Sequence, residues 1–196
     1  MAEKIAYLEP QLAYLNAIRE VLPDDGYFVR DVTQLGYVSE FAFPVYQPRT
    51  FISPGYQGTL GWGFATALGV KVAHPDKPVV AVCGDGGFMF TMQELATAVQ
   101  HKINLVTLIF TDGAYGNVLR MQKENYGGRV IGTALHNPDF AKMAETFGAL
   151  GLRATNPAEV RSAIEQGLAA DLPTLIEVPI GEVPSPWPVA FMGRNR

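Results

Sequence analysis

Cysteine is almost missing from this 196-residue chain: Cys83 stands alone, inside the apolar run 79–83. A single thiol makes no internal disulfide, which excludes a disulfide-stapled scaffold and points to a small buried hydrophobe in a reducing compartment. Charge is sparse too, at 17% of residues with a formal net charge of −4. Beside 48% hydrophobic residues, so little charge excludes a disordered chain, and its sign argues against nucleic acid as a partner. Histidine is limited to His74, His101 and His136, whose spacing fits no metal set. No apolar run reaches membrane-spanning length, and Met1-Ala2-Glu3-Lys4 lacks the apolar core of a signal peptide. The expectation is a cytoplasmic protein with no membrane partner, folded as one domain over 1–196 with a proline-rich tail over 181–196.

What the chain does have is a regular alternation. Leu12, Leu15, Ile18 and Leu22 recur at helical spacing, so 10–21 reads as a helix. Strands are expected at 27–32, 79–83, 105–110, 150–154 and 174–178, with a possible short one at 50–52. Helices are expected at 37–43, 64–73, 88–101, 115–122, 137–147 and 156–169, with an irregular excursion over 123–132. Asn137-Pro138 and Asn156-Pro157 both read as helix starts, with asparagine as cap and proline at the first helical position. The central strands are apolar throughout, as when helices cover both faces. The fold class is therefore α/β, a doubly wound, mainly parallel sheet of about six strands.

In such sheets ligands bind beyond the carboxyl ends of the strands. Gly84-Asp85-Gly86-Gly87 follows one apolar run and Thr111-Asp112-Gly113-Ala114-Tyr115-Gly116 follows the next, while Thr33 sits just beyond a third. Two carboxylates among glycines suit a hard divalent cation, which takes oxygen ligands and shares itself with phosphates. Asp85 and Asp112 would each give an oxygen, and the Ala114 carbonyl another. The amides of Gly86 and Gly87 open a helix, where an anion is favoured. Either aspartate alone is better read as a turn residue or helix cap; the pair favours a site. Arg120 and Lys123 read as solvated helix charges, and Trp187 as packing on its own domain.

The same residues resemble a known family. Gly84-Asp85-Gly86, followed after two dozen residues by a polar pair before Gly113-Ala114-Tyr115-Gly116, looks like the thiamin-diphosphate-binding motif. Gly58-Thr59-Leu60-Gly61-Trp62-Gly63 is similar to the segment before that motif in acetolactate synthases and benzoylformate and pyruvate decarboxylases, and Asp31-Val32-Thr33-Gln34 resembles their diphosphate-contact turn. The resemblance implies thiamin diphosphate and Mg2+ as cofactors, with Asp85, Asp112 and the Ala114 carbonyl as metal ligands. Gly84, Gly86, Gly87, Tyr115, Gly116, Thr33 and Gln34 would surround the diphosphate. Leu60 would wedge between the two rings, beside Thr59, and the Gly58 carbonyl would accept from the aminopyrimidine.

Two departures qualify the match. The family usually has Asn-Asn where this chain has Thr111-Asp112, which adds a negative charge beside the diphosphate. These enzymes also carry a pyrimidine-binding domain whose glutamate activates the cofactor, and no part of this chain looks like it. No catalytic residue is therefore expected here. The expected function is the diphosphate-anchoring C-terminal domain or subunit of a decarboxylase or carboligase acting on a small 2-oxo acid, a lyase or transferase. Its partners would be a pyrimidine-binding domain or subunit and further copies in a homo- or hetero-oligomer. The alternative is a cofactor-binding module with no turnover of its own. A phosphate-accepting receiver domain would leave the 55–63 turn unexplained, and a Rossmann dinucleotide domain would not place Asp85 where a pyrophosphate approaches bare backbone.

Overall fold

The computed structural model describes residues 2–190. The chain opens with a short helix, α1 (Ala2–Ile5), and then α2 (Gln11–Val21), which feeds β1 (Tyr27–Arg30) through the turn at Pro23. Next come α3 (Gln34–Ala42), β2 (Phe51–Ile52), α4 (Trp62–Ala73), β3 (Val79–Gly84) and the single turn α5 (Asp85–Phe88). The second half runs through α6 (Glu94–Gln100), β4 (Val106–Thr111), α7 (Gly116–Asn125), α8 (Phe140–Phe147), β5 (Leu150–Arg153), α9 (Pro157–Ala169), β6 (Thr174–Pro179) and α10 (Trp187–Ala190).

The six strands form one sheet in the order β2-β1-β3-β4-β6-β5, and every pairing is parallel. The chain goes outward from β1 to β2 on one side and from β3 to β4 on the other. This places the topological switch between β1 and β3, and ligand crevices open at such points. Because side chains alternate along a strand, β3 divides its residues between the two faces. Val80 and Val82 join Leu15, Ile18, Phe28, Leu108, Ile164 and Ile176 in the layer under α2 and α9. Val79, Ala81 and Cys83 join Phe64, Phe88, Leu95, Ile109 and Phe140 on the opposite face. Cys83 is buried and free, and burial pushes its thiol well above the usual range, as a packing residue requires.

The structure adjusts several expected elements. The helix expected over 88–101 is broken: α5 ends at Phe88, tight i to i+3 bonds such as Thr91 N to Phe88 O carry the chain, and α6 begins at Glu94. The reason lies outside the helix, because Phe90 and Thr91 pack on Gly61 of the glycine-rich turn. Asn156 caps α9 as expected, accepting from Glu159 N at 3.0 Å with Pro157 behind it. Asn137 does not cap α8. Asp139 does so, accepting from Lys142 N at 3.0 Å, while Glu177 of β6 accepts from Phe140 N. Helix α7 extends into the expected excursion, to Asn125. The tail crosses back over the domain: Gln11 Nε2 donates to Pro184 O, and Arg120 Nη2 to Val183 O. Of the expected tail 181–196, residues 191–196 lie outside the described residues. No helix among the described residues is long and apolar enough to cross a membrane.

Candidate functional site

The end of β3 turns directly into α5, so Asp85 stands in the first turn of a helix with a buried side chain. Both carboxylate oxygens are held. Oδ1 accepts from Gly86 N at 2.9 Å, and Oδ2 accepts from Gly113 N at 2.9 Å and from Asn137 Nδ2 at 2.7 Å. Charge-assisted bonds of this kind fix the orientation of a carboxylate. Since β3 and β4 are neighbours, Asp112 follows the adjacent strand end, and its Oδ1 accepts from Ala114 N at 3.0 Å. Burial, and then the charge of Asp85, pushes the Asp112 carboxyl up to about 6. A carboxyl raised by a second carboxylate beside it marks a place where a cation is wanted.

The turn after β4 is clasped by a returning segment. Tyr115 N donates to Thr133 O and Leu135 N to Gly113 O, each at 2.8 Å, around an antiparallel bridge between Ala114 and Ala134. In a pair bonded through its flanking residues, the central residue turns its own amide and carbonyl to the other side. Ala114 therefore points both groups away from the clasp, towards the side on which its amide meets Asp112.

The third wall comes from β1 and the glycine-rich turn. Thr33 precedes α3 in extended conformation, and its hydroxyl caps no amide of that helix. Gln34 Oε1 is buried without a hydrogen-bond partner among the described residues. A cavity of about 250 Å³ lies between these walls, lined by Thr33, Gln34, Leu60, Gly84, Asp85, Gly86, Gly87, Asp112, Ala114, Tyr115 and Gly116 together with Tyr37 and Asn117. Gly86 has to be glycine, since a Cβ there would lie 2.6 Å from the Tyr115 ring. A side chain at Gly116 would collide with Asp112 Oδ2. The structure thus brings together all the expected site residues except Gly58 and Thr59, which lie outside the lining, Thr59 with an exposed side chain.

Asn137 is the residue the sequence reading missed. Its Asn-Pro pattern reads as a cap; the signal against this is Asp139, an equally good cap two residues on. Arg120 is not a free solvated charge either: Nη2 donates to Val183 O at 2.6 Å, and the side chain lines a smaller hollow of about 130 Å³ with Gln34, Asp112 and Glu182. Lys123 faces Glu182 at 3.7 Å, exposed as expected. Trp187 packs on its own domain, donating to Asn117 Oδ1 at 2.8 Å and resting on the Tyr37 ring. The described residues contain no cluster of three or more His, Cys, Asp or Glu side chains, so any cation here rests on the aspartate pair and backbone oxygen.

Residues 31–178 match the family model described as thiamine pyrophosphate enzyme, C-terminal TPP binding domain. Among curated proteins the chain is similar to the acetolactate synthase large subunit of Haemophilus influenzae, at 32% identity over 188 residues, covering 95% of this chain and 33% of that protein. It is likewise similar to the probable 2-ketoarginine decarboxylase of Pseudomonas aeruginosa, 34% identical over 167 residues, covering 85% of this chain and 30% of that protein. Among solved structures it resembles the thiamine diphosphate-dependent 4-hydroxybenzoylformate decarboxylase of Rhodococcus jostii RHA1, with a TM-score of 0.80 and 29% identity, covering 87% of this chain and 32% of that one. The chain spans about a third of the length of these relatives.

Proposed function

Because the chain belongs to the thiamine pyrophosphate enzymes, as their C-terminal TPP binding domain, we propose that it anchors the Mg2+-diphosphate end of thiamin diphosphate for a 2-oxo-acid decarboxylase or carboligase. The observation that carries this reading is the convergence of Asp85, Asp112 and the outward-turned Ala114 carbonyl on one cavity with bare glycine turns. The donor set fits the group. Carboxylates and a carbonyl are what a hard cation takes, and Mg2+ completes its shell with phosphate oxygen and water. Gly86 and Gly87 offer backbone unobstructed by side chains, and the raised Asp112 carboxyl is the charge a cation would offset.

Each residue then has a defined task. Asp85, oriented by Gly86, Gly113 and Asn137, and Asp112, oriented by Ala114, hold the metal. Thr33, Gln34, Gly84, Gly86, Gly87, Tyr115 and Gly116 surround the diphosphate. Leu60 supplies the apolar wall for the rings, with Gly58 and Thr59 before it on the same turn, outside the lining. The bound cofactor supplies carbanion stabilisation, and the protein supplies position and electrostatics. This chain orients the anchored end and shields it on three sides; among the described residues no glutamate lines the cavity.

The reading therefore includes a partner. A pyrimidine-binding domain, in the same polypeptide or another, covers the open side and brings the activating glutamate, and the substrate is a small 2-oxo acid. Uncovered apolar side chains support a covering partner: Tyr56, four residues before Leu60, is 101% exposed, Ile131 is 81% exposed, and Val118 of α7, which lines the cavity, is 48% exposed. Mixing the chain with a pyrimidine-binding polypeptide of the family tests this. Release of CO2 from pyruvate or benzoylformate only with both polypeptides, thiamin diphosphate and Mg2+ supports the split reading. Cofactor binding with no turnover in any combination would leave a binding module instead.

A further inference from the structure

The turn that presents Leu60 is gripped from two sides, and one grip is a buried carboxylate at the end of β1. Asp31 is 0% exposed. Its N–H donates to Val82 O at 2.8 Å, and its Oδ1 accepts from Val32 N at 2.7 Å. Oδ2 has no hydrogen bond of ordinary length among the described residues, yet the amides of Gly61 and Gly63 face the carboxylate from the start of α4. Burial raises this carboxyl and those amides, with that of Val32, draw it back. A charge so deep is costly unless polar groups surround it. Glycines make the room: a Cβ at Gly63 would lie 2.6 Å from Asp31 Cβ, and one at Gly87 would lie 2.8 Å from Oδ2. On the other side Thr91 Oγ1 donates to Gly61 O at 3.2 Å. Gly61 thus lies between Asp31 and Thr91, bonded through its carbonyl to Thr91, in a left-handed conformation (φ 80°) that favours glycine.

We propose that Asp31 is a positioning residue, which draws the Gly61 and Gly63 amides onto the end of β1 and so sets how far Leu60 reaches into the cofactor cavity. It acts on the wall that faces the rings, leaving the diphosphate to Asp85, Asp112 and the glycine turns. A carboxylate suits this position because it only accepts, whereas the amide group of asparagine would confront backbone N–H with N–H. The proposal rests on the reading of Leu60 as the ring-facing wall, and its test separates the two.

Amide hydrogen exchange on the full chain without ligand is compared for wild type, Asp31→Asn and Thr91→Val. The expected result is exchange at Gly61 and Gly63 about tenfold faster in Asp31→Asn, with β3 and β4 unchanged, as for loss of the carboxylate charge that faces these amides. Unchanged exchange at Gly61 and Gly63 overturns the proposal. Binding of Mg2+ with inorganic diphosphate is then compared with binding of Mg2+ with thiamin diphosphate. Asp31→Asn should weaken thiamin diphosphate about tenfold and leave inorganic diphosphate unaltered; equal loss of both refutes a role at the ring-facing wall. If Asp31→Asn does not fold, Asp31→Ser, which removes the carboxylate without adding bulk, carries both comparisons, and Thr91→Val, which releases the same turn from its carbonyl side, shows what a loosened turn does to each. A wild-type chain that binds neither ligand contradicts the cofactor reading, while the exchange result still decides whether Asp31 holds the turn.

Discussion

Replacing Asp112 with asparagine should stabilise the cofactor-free chain and weaken its hold on Mg2+. Asp112 stands where the family usually has asparagine, and its carboxyl is raised from 3.8 to about 6, first by burial and then by Asp85. A raised carboxyl means that the folded chain binds the proton more tightly than the unfolded chain. The contribution of Asp112 to stability is therefore greatest at low pH and falls as pH rises through the window from about 4 to about 6. At about 1.4 kcal/mol per pKa unit the loss is about 3 kcal/mol by neutral pH, and solvent screening at this half-buried side chain reduces it to about 1–2 kcal/mol. Asp112→Asn keeps an oxygen for the Ala114 amide and removes the charge, so it should recover about 1–2 kcal/mol at pH 7.5 and almost nothing at pH 3.5. Urea denaturation of both chains at the two pH values, without metal, measures this directly. With Mg2+ and thiamin diphosphate present, the wild type should gain more than the variant, because the cation offsets the charge that asparagine lacks. A variant equally destabilised at both pH values would refute the electrostatic reasoning, since a packing defect has no such pH dependence.

Other expectations follow from the same geometry. Asn137→Ala strips one donor from Asp85 Oδ2 and should weaken Mn2+ or Mg2+ binding by about tenfold or more, as loss of outer-shell partners does, measured by calorimetry. Asp139→Ala, in contrast, should lower the urea midpoint through loss of the α8 cap and leave cation affinity alone, in urea titrations run beside the metal titrations. Gly86→Ala drives a Cβ into the Tyr115 ring and should cost about 1–3 kcal/mol in denaturant and weaken diphosphate binding as well.

The layered fold was legible because β3 and β4 are largely apolar on both faces and each runs out into an aspartate beside glycine, which marks strand, strand end and crevice together. Both aspartates were legible for the same reason. What stayed hidden depends on contacts between distant segments. The break at 89–93 is imposed by Gly61 packing on Phe90 and Thr91, which local helical periodicity between Phe88 and His101 cannot register. Asn137 matched a cap pattern as well as Asn156 did; only the approach of the 133–137 segment to β3 makes it a partner of Asp85. Arg120 looked solvated on α7 until the tail's Val183 carbonyl closed over it. Gly58 and Thr59 fell outside the lining because the turn presents Leu60 inward and Thr59 to solvent.

The central claim, that this chain anchors thiamin diphosphate through a metal on Asp85 and Asp112, is tested most directly by calorimetry of the chain with thiamin diphosphate, with Mg2+ and with chelator, repeated for Asp85→Ala. The account predicts binding that requires Mg2+ and is lost in Asp85→Ala. Binding that survives both chelation and the substitution, or no binding by the wild-type chain at millimolar cofactor and metal, would contradict it.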